Sequence, residues 1–216
     1  MKWSAKLAYA VGLITTDGCL SKDGRHIDFT SKDLDQVKNF VKILGLTNKI
    51  GLKSSGFSKK KYYRVQFGNV KFYRFLTKIG LTSNKSKSIG RIIVPERYFR
   101  DFLRGHLDGD GYSYFYWDPR WKSSFMLYTG FVSASLDHLE WLDNEIERLY
   151  ELKGKIRYAT RAYQLKFAKN ASVRLLGEIY YRNKLICLER KRFKIEESLD
   201  IIRKQAGVAK LVHAID

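Results

Sequence analysis

The stretch Leu103-Arg104-Gly105-His106-Leu107-Asp108-Gly109-Asp110-Gly111 repeats, in altered form, an earlier one: Ala10-Val11-Gly12-Leu13-Ile14-Thr15-Thr16-Asp17-Gly18. In the first copy Leu7, Ala10, Val11 and Ile14 fall at helical spacing. A glycine in mid-helix costs about 1 kcal/mol relative to alanine, so Gly12 and Gly105, at matching places, predict helices whose backbones approach closely. Asp17-Gly18 and Asp110-Gly111 should end the helices, each glycine supplying a left-handed cap. A carboxylate at a helix C-terminus is unfavourable, because the dipole there is already negative. Two such ends side by side are tolerable when a divalent cation takes the carboxylates together with unsatisfied last-turn carbonyls. One Asp-Gly is an ordinary turn; two, in matching apolar helices, point to a hydrolytic centre.

Working outward, each motif is followed by a strand-like stretch and a helix with an acidic start, Asp33 to Leu46 and Asp137 to Leu152. Strand-like stretches follow at Lys49 to Ser54 and Tyr62 to Phe67, and again at Lys155 to Thr160 and Tyr163 to Phe167. Each half closes on a helix, Phe72 to Ile79 and Val173 to Tyr181. The reading is α+β: two pseudo-symmetric αββαββα repeats, each an antiparallel four-stranded sheet covered by helices. The repeats are expected to span 1–81 and 96–204, joined by a Ser-, Lys- and Gly-rich linker over 82–95 and followed by a loose tail over 205–216.

The 41 Lys and Arg against 22 Asp and Glu leave a net charge of +19, beyond what solubility needs, and imply a polyanionic partner. No strongly amphipathic basic helix supports a membrane, and the run Leu7 to Ile14 is too short to span one. The two cysteines, Cys19 and Cys187, form no CxxC and pair with no His spacing, which argues against a zinc module or a disulfide scaffold. The expected setting is therefore a reducing one, cytoplasmic in a prokaryote or organellar.

These motifs, with Gly80-Leu81-Thr82-Ser83-Asn84-Lys85-Ser86 leading to Val94-Pro95-Glu96, resemble the LAGLIDADG homing endonuclease family in its single-chain, two-motif form. Ile179-Tyr180-Tyr181-Arg182-Asn183-Lys184 followed by Leu188-Glu189-Arg190-Lys191 is similar to the family's C-terminal pattern. The resemblance covers about Ser4 to Leu199 and implies packing through the two motif helices. It also implies an Mg²⁺-dependent, monomeric enzyme that cuts both strands of a long, pseudo-palindromic DNA site in intron homing. Mn²⁺ or Ca²⁺ would substitute at the metal site, Ca²⁺ without cleavage.

The resemblance assigns metal binding to Asp17 and Asp110 and to the main-chain carbonyls of Thr16 and Gly109. It implies a basic residue near each scissile phosphate, for which Lys85 and Lys184 are candidates at matching places; Gln66 and Lys166 are candidates for the shell around the attacking water. Asp108 and Thr15 hold the motif's first acidic position, which is not the principal ligand, and His106 is expected to pack.

A two-stranded ribbon fits the major groove, where all four base pairs are distinguishable. Candidates for reading DNA are Arg25, His26, Asp28, Thr30, Arg64 and Gln66 in the first half. In the second half they are Tyr112, Tyr114, Tyr116, Arg120, Lys122, Tyr128, Arg157, Arg161, Gln164 and Lys166. Lys59, Lys60 and Lys61, at a hairpin tip, are expected to grip phosphates. The alternatives are an intron maturase on the same fold and a non-cutting DNA-binding regulator.

Overall fold

The structure, a computed structural model, describes residues 1–55, 58–121 and 124–212. Helix α1 (Ala5–Asp17) starts where Ser4 Oγ accepts the amide of Leu7 at 3.1 Å, satisfying one of the first-turn donors. Every residue from Leu7 to Thr15 is buried, so α1 is a central helix with no solvent face over that span. Its counterpart α4 (Phe99–Asp108) is entered from Pro95 through a 3-10 turn at Glu96–Tyr98. The two helices cross at their glycines. A Cβ on Gly12 would sit 2.3 Å from the carbonyl oxygen of Phe102, and one on Gly105 would sit 2.1 Å from that of Tyr9. The close approach inferred from sequence is therefore an absolute steric requirement at both positions.

Strands β1 (Gly18–Leu20), β2 (His26–Ser31), β3 (Gly51–Ser55) and β4 (Ser58–Gly68) form one antiparallel sheet in the order β1-β2-β4-β3. Helices α2 (Leu34–Leu44) and α3 (Val70–Lys78) complete that repeat. Strands β5 (Tyr112–Trp117), β6 (Phe125–Ser133), β7 (Lys155–Ala159) and β8 (Ala162–Phe167) repeat the order as β5-β6-β8-β7, with α5 (Leu136–Tyr150) and α6 (Lys169–Ile179). Each half thus reads αββαββα, as expected. One face of each sheet is core: Ile27, Phe29, Val65 and Phe67 in the first, Leu127, Phe131, Leu165 and Phe167 in the second. Phe29 stacks on Phe40 of α2 with centroids 4.4 Å apart, fixing that helix to its sheet.

The register makes the pseudo-symmetry residue-specific. Asp28 lies opposite Gln66 and Thr30 opposite Arg64; Gly130 lies opposite Lys166 and Val132 opposite Gln164. Asp28 and Gly130 are therefore equivalent, as are Thr30 and Val132, Arg64 and Gln164, Gln66 and Lys166. Because strand side chains alternate, these residues share the face away from the core.

Three expectations are corrected. Neither Gly18, at φ −87°, nor Gly111 takes a left-handed conformation, and the residue that caps α4 is Gly109, at φ −73°. Gly18 and Gly111 are required by space instead, since a Cβ would lie 2.7 Å from the Ile14 Cα in one and 2.5 Å from the Leu107 Cα in the other. The boundary at 205 is crossed by a helix, α7 (Glu189–Val212); residues 213–216 lie outside the described residues. Finally, α3 starts at Val70, because Asn69 Oδ1 accepts the Phe72 amide at 2.9 Å, and α6 starts at Lys169, both earlier than the apolar pattern indicated.

The segment 82–95 packs rather than loops out: Ile89 and Ile92 are buried, and Ser135 Oγ donates to the Ile89 carbonyl at 2.5 Å. Helix α7 also ties the repeats, since Arg190 forms a bidentate pair with Asp33 (2.8 and 2.6 Å) at the start of α2.

Candidate active site and nucleic-acid face

The two motif acids meet below the helix crossing. Asp17 is the last residue of α1, while Asp110 lies in the turn after α4. Asp17 Oδ2 lies against the opposite motif: a Cβ on Gly109 would be 2.9 Å from it. Burial first, and then the negative charge of Asp110, push the Asp17 carboxyl up to about 7. Burial raises Asp110 as well, with Lys191 and Lys85 opposing the rise. The partly buried Asp17 thus senses the negative charge of the more exposed Asp110.

Two lysines brace this centre. Lys85, buried in a 3-10 turn of the inter-repeat segment, donates from Nζ to the carbonyl of Gly18 (2.7 Å) and more weakly to that of Thr16 (3.4 Å). Lys191, in α7, donates to the carbonyls of Leu107 (2.7 Å), Asp108 (2.9 Å), Gly109 (3.1 Å) and Gly111 (2.7 Å). Each ammonium thus satisfies the C-terminal carbonyls of one motif and offsets its dipole. Burial lowers both, Lys191 to about 8, while the surrounding carboxylates pull the other way. Lys184, the expected partner of Lys85, is exposed between α6 and α7, and none of its hydrogen bonds reaches the acids; Lys191 takes that place.

The acids are flanked by two clefts, one toward each half. The larger, about 410 Å³, is lined by Asp17, Asp110, Lys191, Ser31, Gln36 and Tyr62. The smaller, about 130 Å³, is lined by Thr16, Asp110, Lys85, Ser133, His106 and His138. Each cleft therefore presents a motif acid and one bracing lysine.

Asp108 is buried at the wall of the larger cleft, and its hydrogen bonds turn inward. Its Oδ2 accepts from the Tyr9 hydroxyl and from the Leu188 amide, both at 2.8 Å, which fixes the entry to α7 and hence Lys191. Thr15, its equivalent, bonds back to the Val11 carbonyl at 2.8 Å. His106 packs, as expected. Its Nε2 lies 3.0 Å from Nε2 of His138, the rings being within 13° of coplanar, and His138 Nδ1 lies 2.8 Å from the Gly90 carbonyl. That carbonyl requires the proton on His138 Nδ1, so His106 donates to His138. Burial holds His138 at about 4 and His106 well below the usual value, keeping both neutral.

Among the described residues no three His, Cys, Asp or Glu side chains gather to hold a metal. The donors that fit a hard divalent cation are the Asp17 and Asp110 carboxylates. The carbonyls of Thr16 and Gly109, the expected main-chain ligands, each accept a long hydrogen bond, from Lys85 at 3.4 Å and from Lys191 at 3.1 Å.

The outer faces of the sheets carry most of the remaining candidates. Asp28 pairs with Arg64 and accepts from Thr30 at 3.0 Å. Gln66 is exposed, and Lys166 Nζ lies 4.7 Å over the Tyr128 ring; neither reaches the acids through a hydrogen bond. Arg25 lies beside Gly68, and His26 pairs with Asp23 at 2.5 Å. Tyr112, Tyr114, Tyr116 and Tyr128 stack on one another, and Tyr112 donates to Gln164 Oε1 at 3.4 Å. Arg157 is exposed in β7, Arg161 takes φ +74° at the β7–β8 turn, and Arg120 pairs with Asp118. Lys60 and Lys61 are exposed on β4; Lys59 is described only as a β4 position, and Lys122 lies outside the described residues.

No helix among the described residues is long and apolar enough to cross a membrane. No curated protein matches the chain by sequence. A sequence model of a LAGLIDADG-like domain matches residues 4–80. Among solved structures, the homing endonuclease I-WcaI bound to its DNA recognition sequence aligns with TM-score 0.61 and 14% identity over 89% of this chain and 88% of that one. I-LtrWI, a LAGLIDADG homing endonuclease bound to target DNA, aligns with TM-score 0.59 and 12% identity over 97% and 96%. Full-length DUF199/WhiA from Thermatoga maritima aligns with TM-score 0.56 and 15% identity over 100% of this chain and 73% of that one. Residues 4–80 thus match a LAGLIDADG-like domain, and the chain as a whole shares the fold of these homing endonucleases and of WhiA.

Proposed function

We propose that the protein is a site-specific endonuclease that hydrolyses both strands of duplex DNA at one centre. The observation that carries this reading is the pair of clefts that share Asp110, the larger lined also by Asp17 and Lys191 and the smaller by Lys85. Two strands of a duplex present two scissile phosphates related by a twofold, and the clefts supply one place for each. Asp17 and Asp110 would hold a divalent cation such as Mg²⁺, which lowers the pKa of a bound water and offsets charge on the phosphate. Structural neighbours were solved with target DNA in the presence of Mg²⁺ or with Mn²⁺.

The chain's own residues do the remaining work. Lys85 and Lys191 keep positive charge at both helix ends where polyanionic DNA must approach two carboxylates. The chain carries +19 overall, and its sheets would present Arg64, Gln66, Gln164 and Lys166 to a major groove.

A DNA-binding protein that does not cut is the second reading, and one feature favours it: a lysine ammonium stands beside each carbonyl that a metal would use. Selection from a randomised duplex library with the full chain and Mg²⁺ separates the two. The endonuclease reading expects linearised duplexes from the wild type. Asp17→Asn and Asp110→Asn should each lose cleavage by at least roughly a thousandfold while retaining binding. A wild type that enriches sites but cuts none of them would refute it.

A further inference from the structure

The two outer faces are built from different chemistry at equivalent positions. Where β2 carries Asp28, its counterpart on β6 is Gly130, and the Tyr112 ring lies over it: a Cβ there would meet Tyr112 Cζ at 2.6 Å. Tyr112, Tyr114 and Tyr116 stack along β5 at centroid spacings of 5.9 and 6.3 Å, and Tyr128 of β6 joins at 5.3 Å from Tyr114. Met126, opposite Tyr116, and Val132 extend the same face, and Tyr114 and Tyr116 are 37% and 41% exposed. No Asp or Glu stands on this face in any of the four strands. Lys155, Arg157, Gln164 and Lys166 border it on β7 and β8.

We propose that this tyrosine ladder is a specificity surface for thymine 5-methyl groups in the major groove, so that the half-site read by the second repeat is thymine-rich. This rests on the duplex-DNA reading above. The thymine methyl is the apolar group on the major-groove floor, and a face of stacked rings with no carboxylate matches it, its acceptors being limited to tyrosine hydroxyls and the Gln164 amide, which Tyr112 already engages. Because the rings stack on each other, and Lys166 lies over the Tyr128 ring, much of their face area is already covered. Unpaired bases need open ring faces, so a single strand is the poorer fit. The basic residues on β7 and β8 lie where the adjoining phosphates would run.

The test uses the full chain in Ca²⁺ and a randomised duplex library. Sites selected by wild type, Tyr116→Ser and Tyr128→Ser identify the half read by the second repeat as the one whose preference moves. Thymine is expected to be enriched in that half. Replacing dT by dU there should weaken binding about fourfold per methyl removed, the worth of one buried CH₂ group; the same change in the other half should cost much less. Tyr116→Phe, keeping the ring, should retain the dT/dU difference at its contact, and Tyr116→Ser should abolish it. Equal affinity for dT and dU, no thymine enrichment in that half, or loss of the difference in Tyr116→Phe would overturn the assignment while leaving duplex recognition intact. Failure of the wild type to bind any duplex, or tighter binding of single strands, would instead overturn the reading on which it rests.

Discussion

The two repeats agree at their helix ends and disagree on their sheets. Asp17 and Asp110, Gly12 and Gly105, and a lysine over each set of terminal carbonyls recur in both halves. On the outer faces, by contrast, an Asp28–Arg64 ion pair in one half stands where the other has Gly130 beneath a tyrosine ring. The parts that meet on the pseudo-twofold recur, and the outward-facing parts differ. Even the shared parts are braced unequally: Lys85 reaches two carbonyls from a short turn, whereas Lys191 reaches four from a long helix.

The largest effect expected is at the crossing itself. Gly105→Ala would place a Cβ 2.1 Å from the Tyr9 carbonyl oxygen, against backbone that cannot swing aside. A cost of more than about 4 kcal/mol is expected, enough to unfold much of the protein. Gly177→Ala, in α6 with nothing within 4 Å, should instead stabilise by about 0.5–1 kcal/mol. Urea denaturation of both variants checks the contrast, and a soluble, fully folded Gly105→Ala protein would break it.

The unequal bracing comes next. Lys191→Met should cost about 2–4 kcal/mol, because four carbonyls lose a charged donor, and Lys85→Met about 1–2 kcal/mol. Equal losses in denaturant midpoint would show that the carbonyl count does not set the difference.

A smaller effect concerns pH. The folded pKa of Asp17, about 7, is above its unfolded value, so the native state binds the extra proton between the two. The contribution is stabilising below about pH 4 and is lost as pH rises to about 7. In EDTA, Asp17→Asn should therefore melt above wild type at pH 8, by an amount on the order of 1–3 kcal/mol, and converge with it near pH 4. Convergence at high pH instead would reverse the sign and sink the account.

The smallest effect tests the sheets. Asp28→Ala removes an ion pair worth less than about 1 kcal/mol, yet it frees Arg64 for DNA. The slope of log affinity against log salt should steepen by about one with little change in melting temperature.

Most of this organisation was legible in the sequence because it depends on short-range periodicity. Gly12 and Gly105 announce themselves as costly residues in apolar helices, and the β-strand alternation gave Gln66 and Lys166 as equivalents, which the register confirms. Lys191 was not found, because the local match of Asn84-Lys85 with Asn183-Lys184 points to the wrong lysine. The true counterpart is brought in by the fold of α7 onto α4, pinned through the Leu188 amide to Asp108. The run Leu188-Glu189-Arg190-Lys191 was the available signal. The helix caps were misjudged for a related reason: a glycine required by neighbouring backbone looks, in sequence, the same as one required by φ.

The crossing at Gly12 and Gly105 has one more consequence. It is a subunit-like interface whose two sides belong to a single polypeptide, joined through the packed segment 82–95. The second side is thus always present at an effective concentration in the millimolar range or above, set by the tether and not by how much protein is made. The molecule should stay assembled at dilutions where a dimer of half-length chains would come apart, and its two halves are free to diverge without ever having to find each other.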